Sequence, residues 1–123
     1  MDIYREEILE HWQNPQNFGS MSDADLVAEE VNPLCGDEIK VYVRSDKRKI
    51  VDVSFTGSGC AISIASASIL SEAVKNKPLK SISKISGDDM LKMLGSGSKS
   101  FPPARLKCAF LGLEAIKKVV GSK

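Results

Sequence analysis

Three cysteines, Cys35, Cys60 and Cys108, and an aspartate two residues after the first of them, Asp37, are the side chains of this sequence best suited to holding a soft metal ion or carrying sulfur. Their spacing is not that of a zinc finger. Between Cys35 and Cys60 lie 24 residues, between Cys60 and Cys108 lie 47, no CxxC pair occurs, and the single histidine, His11, is far from all three in sequence. Taken alone, each position has a bland explanation. Cys60 sits in FTGSGCAISIASASIL (residues 55–70), where a glycine-rich turn joins a strand to a helix. Unpaired amide N–H groups and the positive end of the helix dipole favour a thiolate there, although free cysteine is usually a small, inert, buried residue. In NPLCGDE (residues 32–38), Cys35 and Asp37 leave an extended backbone on the same side, and Gly36 lets the chain bend toward a shared ligand. The same stretch also reads as a turn in which Asp37 bonds nearby backbone.

Whether these groups meet depends on the elements that carry them. Ile39, Val41 and Val43 alternate with Lys40, Tyr42 and Arg44, and Val51, Val53 and Phe55 alternate with Asp52, Ser54 and Thr56, which predicts two strands. The polar stretch Ser45 to Lys49 connects them as a hairpin, and Ala24, Leu26 and Ala28 mark a further strand ending before Glu29 and Glu30. Residues 2–13 predict a helix with Met1, Tyr4, Ile8 and Trp12 on one stripe, ended by Pro15, with Trp12 facing the core beside a solvated His11. NPQNFGS is then a turn. Ile62, Ala65, Ile69 and Ala73 mark a helix from Ala61 to about Lys75, with small serines interleaved to let it seat closely on the sheet. Leu79, Ile82 and Ile85 give a short helical turn, and Ser86 with Asp89 forms a capping arrangement for a helix reaching Leu94. GSGSKS is a connection, and after Pro102 and Pro103 a last helix places Ala104, Cys108, Leu111, Ala115 and Val119 on one face.

This order predicts an α+β fold, a three-stranded antiparallel sheet with helices packed on one face. Antiparallel pairing brings the start of the second strand and the end of the third to one edge of the sheet, so Cys35 and Cys60 are expected as neighbours, with Cys108 closing the set. Three thiolates and a carboxylate suit tetrahedral zinc or an iron–sulfur cluster.

At 123 residues with 42% hydrophobic content and no break in composition, residues 1–123 read as one domain. A formal net charge of +1 supplies no field for nucleic acid or an anionic membrane, and neither is expected as a partner. The odd cysteine count argues for reduced thiols. With no apolar leader and no stretch near the roughly 20 apolar residues a bilayer span needs, the chain reads as cytoplasmic.

NPLCGDEIKVYV, GSGCAISIASAS and FPPARLKC, in this order and spacing, resemble the three cysteine motifs of the IscU, SufU and NifU family of iron–sulfur scaffolds, and YREEILEHWQNPQNFG is similar to that family's N-terminal helix. The resemblance covers essentially the whole chain. It implies a scaffold that assembles a transient 2Fe-2S cluster from iron and persulfide sulfur delivered by a cysteine desulfurase, then hands it to acceptor apoproteins. It also implies Cys35, Asp37, Cys60 and Cys108 as ligands, Asp37 as the residue that keeps the cluster labile, and Cys108 as persulfide acceptor. Lys107 or Arg105 is a candidate cation to favour its thiolate. Lys107 stands where the IscU branch has histidine, as in the SufU branch, whose members often relay persulfide at a zinc site. The large SufU insertion between the second and third cysteines is absent. A zinc-dependent sulfurtransferase is therefore the alternative, and a purely structural zinc module a third reading. Phe101 to Arg105 resembles the proline-containing segment by which IscU engages an Hsp70-type chaperone, with Arg105 in place of lysine.

Overall fold

The period-two stretches form a three-stranded antiparallel sheet in the order β1-β2-β3, built from Leu26–Asn32, Asp37–Asp46 and Lys49–Ser58. The computed structural model describes residues 3–33, 36–95 and 103–121. On β2, Ile39, Val41 and Val43 turn inward and are buried, while Glu38, Lys40 and Arg44 face solvent. Val53 and Phe55 of β3 join the inner face. Helix α1 (Ile3–Gln13) precedes the sheet, and α2 (Ala61–Val74), α3 (Leu79–Ile82), α4 (Gly87–Leu94) and α5 (Pro103–Gly121) follow it. The inner face packs against Ile64, Leu70 and Val74 of α2 and Leu111, Ile116 and Val119 of α5 in one apolar cluster. Each such side chain contributes about 1.5–3 kcal/mol by leaving water. Among the described residues, no helix is long and apolar enough to cross a membrane.

Several expectations need correction. The hairpin is tighter than the stretch 45–49, because Lys47 and Arg48 alone turn the chain with φ of 55° and 64°. Positive φ at both central residues matches the twist of the flanking strands, so pairing continues up to Asp46 and Lys49. Strand β1 does not stop before Glu29. It runs to Asn32, and its charged pair is held by Lys118, whose Nζ lies 2.7 Å from Glu30 Oε2 and donates to the Glu29 carbonyl at 3.0 Å.

The orientation expected at the end of α1 is reversed. Trp12 is 44% exposed, whereas His11 turns inward and its Nδ1 lies 2.7 Å from Ser68 Oγ. The reason is the surface that α1 meets, since the facing part of α2 presents the Ser68 hydroxyl to His11 Nδ1 and the Glu72 carboxylate 3.6 Å from its Nε2, two polar partners for the two ring nitrogens. Of the expected stripe, Ile8 is buried and Met1 lies outside the described residues. The turn after α1 clamps along β3, with Gly19 N–H donating to the Phe55 carbonyl and Phe55 N–H to that of Asn17.

Helix α2 is central instead of one-sided. Every residue from Ser63 to Leu70 is buried, as is Ser71. Its small residues do allow close approach, since a Cβ on Gly112 of α5 would lie 3.3 Å from Ala67. On α4 the Ser86–Asp89 capping box forms as expected, with Ser86 Oγ accepting from Asp89 N–H at 3.1 Å and Asp89 Oδ2 from Ser86 N–H at 3.0 Å. On α5, Cys108, Leu111, Ala115 and Val119 share the buried face.

Candidate metal and sulfur site

Residues far apart in sequence meet at one end of the sheet. Pairing of Glu38 with Ser58 sets Asp37, the first residue of β2, beside the turn that leaves β3 through Gly59 and Cys60. Cys60 caps the N-terminus of α2 in extended geometry, and although its side chain makes no full capping bond, the first-turn N–H groups of Ile62 and Ser63 lie near enough to favour its thiolate. Cys108 arrives from α5, packed against both β2 and α2. One ligand atom each of Asp37, Cys60 and Cys108 lies within 4.8 Å of the others. Cys35, Phe101 and Pro102 lie outside the described residues, as do the side chains of Pro103 to Arg105.

Asp37 Oδ2 accepts from Ser63 Oγ at 2.7 Å and from Cys108 Sγ at 3.1 Å, and Ser63 Oγ lies 3.6 Å from Cys60 Sγ. Ser63 is the site residue that sequence reasoning missed. It counted as one small residue among several serines, and the available signal was its position one helical turn after Cys60, which puts both on one face of α2.

Gly57 and Gly59 each allow a close approach. A Cβ on Gly59 would lie 2.7 Å from Asp37 Cγ and 2.8 Å from Oδ1, so glycine there gives the carboxylate its seat. A Cβ on Gly57 would strike the Glu38 carbonyl and approach Ile39 Cδ1 to 2.9 Å, so that glycine serves strand pairing.

The network divides the two thiols electrostatically. Burial alone would raise the Asp37 carboxyl, but bonds from the Ser63 hydroxyl, the Cys108 and Cys60 thiols and the Cys60 backbone N–H hold it below the usual carboxylate value. Burial likewise opposes ionisation of Cys60, and is outweighed by the Ser63 hydroxyl and N–H, the Cys108 thiol and the Ile62 N–H, so Cys60 ionises below an ordinary thiol. Cys108 goes the other way: burial, then the Asp37 carboxylate and Cys60, push it up to about 12. This corrects the expectation that Lys107 favours a Cys108 thiolate. Lys107 is exposed, while Cys108 is 1% exposed and donates its proton to Asp37. A surface recess of about 250 Å³ lined by Asn32, Lys107, Leu111 and Glu114 adjoins the site, for Asn32 pairs with Asp37 in the sheet and Lys107 neighbours Cys108.

Two thiols and a carboxylate from three elements, held this close, fit a thiophilic ion such as zinc or iron. Comparison with known proteins agrees with this chemistry. The model of the NifU-like N-terminal domain matches residues 3–122. The zinc-dependent sulfurtransferase SufU of Bacillus subtilis is 36% identical over 137 residues, covering 98% of this chain and 91% of that protein. The iron–sulfur cluster assembly scaffold protein IscU 1 of Archaeoglobus fulgidus is 32% identical over 118 residues, covering 96% of this chain and 74% of that protein. Among solved structures, FiSufU of Fervidobacterium islandicum AW-1, described as an iron–sulfur cluster assembly scaffold for the SUF system, superposes with a TM-score of 0.80 at 27% identity and 94% coverage of both chains.

Proposed function

The chain belongs to the NifU-like N-terminal domain family, and from that premise we propose that it is a scaffold, acting over residues 1–123 as one domain, on which a labile 2Fe-2S cluster is assembled and then passed to acceptor apoproteins. The observation that carries this reading is the meeting of Asp37, Cys60 and Cys108, from β2, α2 and α5, with ligand atoms within 4.8 Å. Cys35, Asp37, Cys60 and Cys108 are the proposed ligands, and iron and sulfide are the cargo. Asp37 supplies a carboxylate oxygen where a fourth thiolate would bind softer metal more firmly, which suits a cluster meant to leave.

A cysteine desulfurase is the proposed sulfur donor and Cys108 the acceptor. The Cys108 thiolate attacks the outer sulfur of the donor's persulfide, a new S–S bond forms on Cys108, the donor's S–S bond breaks, and the desulfurase sulfur departs as thiolate. In the arrangement described above, Cys108 is buried and protonated, its pKa raised to about 12. Attack therefore follows movement of the thiol toward solvent, which removes both the burial and the Asp37 contact that hold its proton.

A second reading is a zinc-dependent relay of persulfide, with zinc on the same four residues. It is supported by similarity to the B. subtilis sulfurtransferase and by lysine at position 107. Zinc, when bound, would stabilise the thiolate forms of its cysteines. Alignment with that relative runs over 137 residues, more than the 123 of this chain, so the relative carries residues this chain lacks. That difference favours the scaffold.

Free thiols at Cys60 and Cys108 support a reducing compartment, for which we propose the cytoplasm. Docking of an Hsp70-type chaperone at Phe101 to Arg105 is part of the proposal and rests on sequence. Anaerobic incubation with iron, cysteine and a desulfurase tests the main reading. It should produce the visible absorption of a cluster with stoichiometric labile sulfide, whereas tight zinc and persulfide with no cluster would establish the relay.

A further inference from the structure

We infer that Ser63 is the positioning residue that keeps Asp37 aimed at the cysteines while metal is loaded, an inference that rests on the ligand roles proposed above. The Asp37 side chain, in a residue 4% exposed, accepts from the Ser63 hydroxyl at 2.7 Å and from the Cys108 thiol at 3.1 Å, with the Cys60 sulfur within 4.8 Å. Both thiols give up their protons to solvent when they bind a metal. The Cys108 bond to Asp37 is lost at that moment, and the carboxylate then faces two thiolates that repel it unless metal lies between them.

Ser63 has no proton that the metal expels. Ser63 is 0% exposed, and its hydroxyl bonds Asp37 Oδ2 at 2.7 Å. It is thus the side-chain donor to Asp37 that outlasts loading. Without it, the carboxylate is free to turn about its Cβ–Cγ bond once the Cys108 thiol has lost its proton. Ser63 is also well placed to tie Asp37 to the cysteine beside it, since it lies one helical turn from Cys60 with its Oγ 3.6 Å from that sulfur. Other buried serines of α2 have different tasks: Ser68 takes His11 and the Gln16 N–H, and Ser71 donates to the Ser68 carbonyl. Ser63 alone among them is bonded to a proposed ligand.

The test is an anaerobic Co²⁺ titration of metal-free protein, read by thiolate charge-transfer and ligand-field absorption and by competition with a chelator. Ser63→Ala should weaken Co²⁺ binding about tenfold or more and alter the ligand-field bands, as loss of groups that orient ligands typically costs 10–100-fold. Ser63→Thr, which keeps the hydroxyl, should restore both. In an Asp37→Ala background, Ser63→Ala should cost nothing further, because there is no carboxylate left to orient. Wild-type affinity in Ser63→Ala, or the same loss with Asp37 absent, would overturn the inference, the latter by making Ser63 merely structural. If Asp37→Ala itself left Co²⁺ affinity unchanged, the ligand role of Asp37 would be what had failed. Should Ser63→Ala not fold by circular dichroism, Ser63→Thr and Ser63→Val, nearly equal in shape, make the comparison.

Discussion

Cys60 and Cys108 share one hydrogen-bonded network yet differ in acidity because they stand at opposite ends of it. Cys60 receives donors at a helix N-terminus, while Cys108 gives its proton to a carboxylate inside the core. Since only the thiolate is alkylated, a lowered pKa brings reactivity to lower pH and a raised one delays it. In metal-free protein, site-resolved mass spectrometry after brief iodoacetamide treatment should therefore find Cys60 modified below the pH of an ordinary thiol, and Cys108 resistant until far above it. Asp37→Ala should move the Cys108 profile to lower pH without restoring an ordinary value, because burial, the larger cause, remains. Equal profiles for the two cysteines would contradict the network. The partnership of Asp37 with thiols was legible in NPLCGDE, but the direction of the Cys108 shift was not. Neighbouring Lys107 is what sequence displays, whereas burial and a carboxylate brought from 71 residues away decide the matter.

At the scale of elements, the turn into α2 is fixed by the contact between Gly59 and Asp37. Gly59→Ala should cost about 1–3 kcal/mol through overpacking and lower Tm by roughly 3–15 °C, with the carboxylate displaced. A thermal melt checks the first effect, and weaker Co²⁺ binding than wild type the second. The capping box of α4 gives a separate pH dependence. The Ser86 backbone N–H, then its hydroxyl, hold Asp89 below the usual carboxylate value. Its stabilising effect is therefore present above the unfolded-state pKa and lost as pH falls through the lower folded one. Ser86→Ala should reduce Tm at neutral pH and flatten its fall in acid, measured by melts across that range. This box was readable because Ser86 and Asp89 are three residues apart and need nothing else. Strand β2 and the stretch 53–55 of β3 were readable for a similar reason, burying one face in alternation. Earlier in β3, Ile50 is buried and Val51 only half-buried, because the pairing shifts register at Arg44 and Ser45. Features set by what an element packs against were hidden. Trp12 and His11 exchange places because α2 offers hydroxyls to α1, and β1 extends through Glu29 and Glu30 because Lys118 of α5 holds them.

For the molecule as a whole, the site joins β2, α2 and α5, parts of the chain that an unfolded protein would not hold together. A metal ion held by the proposed ligands Asp37, Cys60 and Cys108 would act as a crosslink between the sheet and two helices packed on it, and its binding energy would become folding energy. At a free zinc concentration one hundred times Kd, the folded state gains about 2.7 kcal/mol. For a chain between the reference sizes of 100 and 150 residues, that corresponds to a rise in Tm of roughly 5–15 °C. The gain should increase logarithmically with free zinc, which distinguishes it from general salt stabilisation, and should shrink strongly in Cys108→Ser and in Asp37→Ala. Zinc bound by cysteines of the unfolded chain would reduce the rise, so the free zinc concentration at which Tm begins to climb, which tracks Kd, is the firmer quantity. A melt series under buffered zinc measures it. The same onset concentration in wild type and Cys108→Ser would mean that the last helix is not part of the metal site, and that ligation is confined to the hairpin end and the start of α2.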